Sequence, residues 1–201
     1  MDNIVNLFAI PVFKFKVVPT DIEYSELTKA LDMIFERSTE GKWASETGKS
    51  SAEHHLFLHN IQEMQWLLTI TAARVHKVWA ELNYANGKNI TCPASWANLH
   101  KPGQVTGEHS HCSGAEKSHL SAVYYFKKPA DSGNIEFRDP LDYIHSLTPK
   151  KDYVLETYAA YSEVKAEEFD LLVFPSWLKH RSQVNRSQDN RIAISMNFIG
   201  N

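Results

Sequence analysis

The chain has 201 residues, 43% of them hydrophobic and 22% charged, a balance that suits one buried core and leaves little room for disorder or for two independent domains. A formal net charge of -3 supplies no long-range pull toward phosphate backbones or anionic lipid, so a small-molecule or protein substrate is expected and nucleic acid is not. Cys92 and Cys112 are too few for a disulfide framework, Met1-Asp2-Asn3-Ile4 lacks the basic-then-apolar order of a signal peptide, and no apolar run approaches the ~18 residues of a membrane span; a cytoplasmic location is the expectation.

In chain order, Asn3 to Val18 comes first. Lys14 and Lys16 alternate with Phe13, Phe15 and Val17, the period of a half-buried strand, and an edge position there could pair with a second copy to give a homodimer. Pro19-Thr20-Asp21 offers capping side chains to a helix whose Ile22, Leu27, Leu31, Ile34 and Phe35 recur at helical spacing. Thr39 to His59, rich in Ser, Gly, Glu and His, reads as a loop or a lid. Its His54, His55 and His59 could form a second metal cluster, although an exposed His-rich loop is the preferred reading. A second helix over about Ile61–Leu82 carries Met64, Leu67, Leu68, Val75, Val78, Trp79 and Leu82 on one face.

From Ile90 the pattern changes to short runs of β-branched and aromatic residues between turn signals such as Lys101-Pro102-Gly103 and Asp131-Ser132-Gly133. Strands are predicted over residues 94–100, 120–127, 134–138, 158–164, 171–174 and 191–199. Many short strands without intervening helices point to a sandwich, jelly roll or small barrel. The expected architecture is therefore mainly β with flanking helices in a single domain, 1–201, with helical support over about 20–83 outside a β core over about 90–200.

Chemistry concentrates in that core. In Gly107-Glu108-His109-Ser110-His111 the two imidazoles fall on one face, because side chains alternate along extended chain, and both could reach one metal ion. The apolar strand Leu171-Leu172-Val173-Phe174 breaks at Pro175 and delivers His180 just beyond its end, a good position for a third ligand. In Arg191-Ile192-Ala193-Ile194-Ser195-Met196-Asn197-Phe198 one face is Arg191, Ala193, Ser195 and Asn197 and the other is apolar. If the polar face lines the interior, Arg191 is a buried cation in need of an anion, which a ligand carboxylate would supply. Of Tyr124 and Tyr125 one must face inward; Tyr124 would share its face with Ala122 and Phe126, and a phenol beside the guanidinium would help to hold a carboxylate. Trp96 and Trp177 could wall a pocket, and Cys112 needs no role beyond that of a small loop residue.

His109-x-His111, Tyr124-Tyr125, His180 and Arg191, in that order, resemble the 2-oxoglutarate/Fe(II)-dependent oxygenase superfamily. Leu7-Phe8-Ala9-Ile10-Pro11-Val12, Trp96-Ala97-Asn98, Leu120-Ser121-Ala122-Val123-Tyr124-Tyr125 and Pro175-Ser176-Trp177-Leu178-Lys179-His180 extend the resemblance to one of its largely uncharacterised oxygenase families. The resemblance implies a double-stranded β-helix (a cupin-like jelly roll), Fe(II) held by His109 and His180, and 2-oxoglutarate and O₂ as cosubstrates. It also implies that Arg191 pairs with the distal carboxylate of 2-oxoglutarate, that Tyr124 and Asn98 contact the cosubstrate, and that the reaction is hydroxylation of a substrate C–H. Most of the superfamily has Asp or Glu where His111 stands; His111 is then either a third ligand or a group behind the ligands. Two rivals remain. Cupins share the β-helix, and Gly103, His109, His111 and Glu116 fit their first motif, with Glu116 as a further ligand of an isomerase or a 2-oxoglutarate-independent dioxygenase; Val123 and Trp177 stand where that pattern needs Gly. An inactive β-helix acting as a binding module is the other.

Overall fold

The computed structural model describes residues 9–38, 48–54, 57–85, 89–112, 117–147 and 159–200. The first strand, β1 (Phe13–Lys16), is the edge strand its alternation predicts, and it pairs antiparallel with β7 (Asp170–Pro175). Phe13 and Phe15 pack on the core, while Lys14 and Lys16 reach back to the buried Asp170 carboxylate at 2.9 and 3.1 Å. Helix α1 (Asp21–Arg37) starts on a capping box: the Glu23 backbone N–H donates to the Thr20 hydroxyl, and the Glu23 carboxylate accepts from the Thr20 backbone N–H at 2.7 Å. It buries Leu27, Ala30, Leu31, Ile34 and Phe35. Ile22, expected on that face, is 72% exposed, because it sits in the first turn before the helix meets the sheet. Helix α2 (Gln65–Glu81) follows short 3₁₀ turns and buries Leu67, Thr71, Val75, Val78 and Trp79.

Both helices cover one face of a six-stranded sheet ordered β1-β7-β4-β9-β3-β2, in which β2 is Lys49–Ser50, β3 Ile90–His100, β4 Leu120–Lys127 and β9 Arg191–Gly200. Strand β3 begins four residues earlier than its apolar pattern suggests; Pro93 lacks an N–H, and the pairing with β9 shifts register between Thr91 and Ala94. Gly200 permits the close approach of α2, since a Cβ there would lie 2.4 Å from the Trp79 ring. A three-stranded sheet, β6 (Tyr161–Val164), β5 (Ile135–Arg138) and β8 (His180–Ser182), faces the other side. It is continued by His109, which exchanges both backbone hydrogen bonds with His180 at 3.0 and 2.9 Å. These two facing sheets make a double-stranded β-helix. A second apolar cluster, including Phe137, Leu172, Phe174 and Leu178, packs between them and leaves a cavity at one end.

Strand parity corrects one expectation. Leu120, Ala122, Tyr124 and Phe126 all point to the helices; Tyr124 is fully buried there and donates from its hydroxyl to the Val17 carbonyl at 3.0 Å. It does not reach the cavity, which Tyr125 lines instead. Tyr124→Phe should therefore leave an acceptor unpaired and lower stability by about 1 kcal/mol in urea unfolding, without altering affinity for a carboxylate ligand. Tyr125→Phe should do the reverse.

Candidate metal centre

His109 arrives on the loop after β3, His111 two residues later on the same side, and His180 at the start of β8. Their potential ligand atoms all lie within 4.8 Å of one another, and the ring centroids are 4.3 Å (His109–His180), 4.9 Å (His109–His111) and 5.2 Å (His111–His180) apart. Two of the rings are fixed in tautomer as well as position. Nδ1 of His109 is 2.9 Å from the Gly107 carbonyl and Nδ1 of His180 is 2.9 Å from the Leu178 carbonyl. A carbonyl only accepts, so each Nδ1 carries the proton and each Nε2 presents a lone pair, the arrangement that metal-bound histidines use. His111 is placed differently: its backbone N–H donates to Ser176 and its carbonyl accepts from Ser118, while its ring lies 5.3 Å from that of Trp96. Among the described residues no carbonyl anchors its Nδ1.

No carboxylate joins this group among the described residues. Glu108, next in the chain, is turned to the rim. It accepts from Tyr161 Oη at 2.5 Å and Arg138 at 2.8 Å, with Lys179 at 3.9 Å. Partial burial alone would raise its carboxyl; the hydrogen bonds from Tyr161 and Arg138 and the two positive charges outweigh that and hold it below the usual range. Glu116, the extra ligand of the cupin reading, lies outside the described residues. So do His55 and the His54 side chain; His59 stacks on Phe57, and its Nδ1 pairs with Ser95 Oγ at 3.1 Å.

The imidazoles are kept neutral. Burial, then the neighbouring imidazoles, pushes His111 down to about 3, and burial followed by His109 pushes His180 down to about 4. In the unfolded chain these groups titrate near 6.5. Above that pH neither state takes up the protons and stability is undiminished; as pH falls from about 6.5 toward 4 the unfolded chain gains protons that the fold excludes, and stability drops. The metal-free protein should thus lose melting temperature steadily below pH 6.5, and added divalent metal should oppose the loss, because bound metal excludes the same protons.

The triad opens into a cavity of about 770 Å³ whose far end is Arg191. The parity of β9 is as the sequence predicts: Arg191, Ala193, Ser195 and Asn197 line the cavity, and Ile192, Ile194, Met196 and Phe198 pack on the helical side. Arg191 is 2% exposed. Its Nη1 donates to the carbonyls of Ser132 (2.5 Å) and Gln183 (3.1 Å), and its Nη2 to Ser182 Oγ (2.9 Å). Gly133 makes this cradle possible. It has φ +78°, and a Cβ there would lie 2.7 Å from the Val184 carbonyl. These partners orient the guanidinium without neutralising it, and no described carboxylate pairs with it. Burial lowers its pKa, offset in part by the nearby Tyr125 phenol. His100, directly opposite Arg191 in the β3–β9 pairing, is bonded to Thr106 Oγ1 at 2.8 Å and is pushed down to about 3 by burial and by Arg191, so it adds no charge.

The geometry therefore joins His109, His111, His180, Arg191 and Asn98 around one cavity and excludes Tyr124. It adds Tyr125, His100, Thr106 and Ser182. A signal for Tyr125 was available, because Ala122, Tyr124 and Phe126 form a wholly apolar set suited to the helical face, whereas Ser121 puts a polar group on the face of Tyr125. His100 and Thr106 carry no such signal, since they are brought to Arg191 by strand pairing. Three neutral, convergent imidazoles, two of them preoriented, fit a divalent first-row metal such as Fe(II), and a buried guanidinium with no acid beside it among the described residues fits a dicarboxylic ligand reaching from that metal.

A model of the family described as "Putative 2OG-Fe(II) oxygenase" matches residues 94–197, just over half of the chain. No curated protein sequence matches significantly. Solved structures with the same fold include the non-heme alpha ketoglutarate dependent carbocyclase SnoK from nogalamycin biosynthesis, with TM-score 0.64 and 13% identity, covering 95% of this chain and 80% of that one. A Pseudomonas putida prolyl-4-hydroxylase has TM-score 0.60 and 14% identity over 96% of this chain and 94% of its own. The viral collagen prolyl hydroxylase of Paramecium Bursaria Chlorella virus-1 has TM-score 0.58 and 13% identity over 93% and 94%. At such identities the likeness is one of fold, and it is the family match over the residues that build the cavity that identifies the protein: the chain belongs to this family of 2-oxoglutarate/Fe(II) oxygenases.

Proposed function

We propose that the protein hydroxylates a C–H bond of a small-molecule or protein substrate, with Fe(II) held by His109, His111 and His180 and 2-oxoglutarate held at its distal carboxylate by Arg191. The observation that carries this reading is the pairing of three convergent imidazoles with a buried, acid-free guanidinium at the opposite end of one cavity. With Fe(II), 2-oxoglutarate and O₂ bound, such a centre couples oxidative decarboxylation of the keto acid to oxidation of a substrate. The residues of this chain supply orientation. The carbonyls of Gly107 and Leu178 hold two ligand nitrogens unprotonated toward the ion, and Ser182 with the Ser132 and Gln183 carbonyls aims the guanidinium. Tyr125, and Asn98 on the cavity face of β3, border the cosubstrate end. Arg191 itself is only 2% exposed, and that burial strengthens the ion pair it would form.

The test is anaerobic titration of purified protein with Fe(II) and 2-oxoglutarate, watching for the visible charge-transfer band of a chelated keto acid. Appearance of the band, together with succinate release in air, is the expected result. Bound metal without a band would shift the assignment to a 2-oxoglutarate-independent cupin-type enzyme, and no metal binding would leave only a binding module.

A further inference from the structure

The cavity is also lined, at the end away from Arg191, by a polar group that none of the chemistry above uses. Side chains on one face of a strand advance by about 6.6 Å per two residues, so Asn197 lies roughly 20 Å along β9 from Arg191, at the triad's end of the cavity, where Ser195 pairs with Trp96, whose ring packs beside His111. Local contacts place it beside His111. The His111 backbone N–H donates to Ser176, and the Ser176 hydroxyl is 2.8 Å from Ser121 Oγ, which in turn is 2.8 Å from Asn197 Oδ1.

This chain of hydroxyls is buried, and it fixes the amide of Asn197, itself only 7% exposed. Ser121 has one hydroxyl proton, which it donates to Oδ1; Ser176 must then donate to Ser121. With Oδ1 engaged from behind, the Nδ2 amide turns toward the cavity that Asn197 lines. No described residue accepts from Nδ2. Nor is Nδ2 among the sealed unpartnered atoms, which are Thr71 Oγ1, Arg74 Nε, His100 Nδ1 and Ser132 Oγ, so its remaining access is to the cavity. A preoriented double donor, more than nine-tenths buried, is a binding group for an acceptor oxygen.

The surroundings of Asn197 decide which acceptor. Ala94 pairs with Asn197 and Trp96 with Ser195, and Ser110 and Ser118 flank His111; none of these described lining residues is charged, and the cavity's buried cation, Arg191, stands six residues away along β9. The charge of a bound divalent ion would be balanced by the dianionic cosubstrate, so a carboxylate placed here would lose its hydration without a free counter-charge, whereas a neutral carbonyl is satisfied by Nδ2–H alone. On the strength of the oxygenase reading, we propose that Asn197 is a substrate-recognising residue that binds an amide carbonyl of an uncharged primary substrate against the Trp96 wall, with Ser121 and Ser176 as positioning residues.

The experiment uses the full chain loaded with Zn(II) and 2-oxoglutarate, so that nothing turns over. Its melting temperature and tryptophan fluorescence are followed against a panel of N-acetyl amino-acid methylamides, the corresponding free amino acids, and tripeptides with the best residue at the centre. At least one blocked amide is expected to bind while its free amino acid does not; tripeptides binding more tightly than the single blocked residue would identify a peptide as the source, and the converse a small amide. Asn197→Asp replaces the donors by a carboxylate of the same shape and should weaken the amide at least tenfold. Ser121→Ala keeps the amide but frees its orientation and should weaken it several-fold, which preserves the test if the Asp variant does not fold. Free amino acids binding as well as amides, unchanged affinity in both variants, or no blocked amide binding at all would overturn the proposal. Titration of 2-oxoglutarate into the same wild-type samples reports on the Arg191 end alone, so a failure of the oxygenase reading is seen separately, and the amide series on metal-free protein then still decides the role of Asn197.

Discussion

Arg191→Ala is expected to raise the 2-oxoglutarate concentration needed for half-saturation by at least about 100-fold. Removing one partner of a buried charge pair costs about 3 kcal/mol or more, because the partner left behind is desolvated and unpaired, and about 1.4 kcal/mol corresponds to a factor of ten. The same substitution releases the carbonyls of Ser132 and Gln183 and the hydroxyl of Ser182, so the metal-free protein should also melt at a lower temperature. The two effects separate with Arg191→Lys. An ammonium retains the charge and can reach one or two of those acceptors, so stability should largely return, whereas the fork geometry for a carboxylate should not. Affinity is read from the anaerobic absorbance titration and stability from thermal melts of the apo protein. A variant that keeps its affinity for 2-oxoglutarate while losing stability would make Arg191 a structural cation and remove the main support for the cosubstrate.

How far such a site can be read in advance depends on which residues are fixed by local pattern and which by pairing. The β core was legible because alternation is a local property: β4 runs over the predicted residues, 120–127, and β9 shows the predicted division into a polar and an apolar face. His109 and His111 were legible as candidates because a His-x-His pair puts two imidazoles on one face, and His180 because it follows the apolar run Leu171-Leu172-Val173-Phe174. Their convergence was not, since it rests on the antiparallel bridge between His109 and His180, a contact across 71 positions that no local pattern encodes. Strand β8 was missed for a related reason: His180–Ser182 is three residues long, too short to show a period, and exists because Ile135, Glu136 and Phe137 pair with it. The Tyr124 assignment failed on a different point. Parity leaves two answers for a Tyr-Tyr pair, and only knowing that the helices cover the Leu120-Ala122-Tyr124-Phe126 face chooses between them.

The second large effect concerns His111, the position where most of the superfamily carries an acid. His109 and His180 have their proton-bearing nitrogens tied to carbonyls, so each presents a lone pair at no further ordering cost, and His109→Ala or His180→Ala should abolish stoichiometric Fe(II) binding. His111 lacks that anchor and is placed by its backbone bonds and the Trp96 ring. If it is a ligand, His111→Ala should cost more than the 10–100-fold loss in metal affinity typical of groups that only orient ligands, and His111→Asp should regain most of that loss by restoring a carboxylate. The Asp variant would also lower the net charge of the loaded centre by one, since imidazole is neutral and carboxylate is not. That change should weaken binding of the dianionic cosubstrate even as metal binding recovers, because the attraction between ion and keto acid acts in a partly buried, low-dielectric site. Metal content by elemental analysis, competition with a chelator, and 2-oxoglutarate titration on the same preparations separate these outcomes. A loss of tenfold or less in His111→Ala, with no gain from Asp, would place His111 behind the ligands and leave a two-histidine centre whose third position is filled from outside the described residues or by solvent.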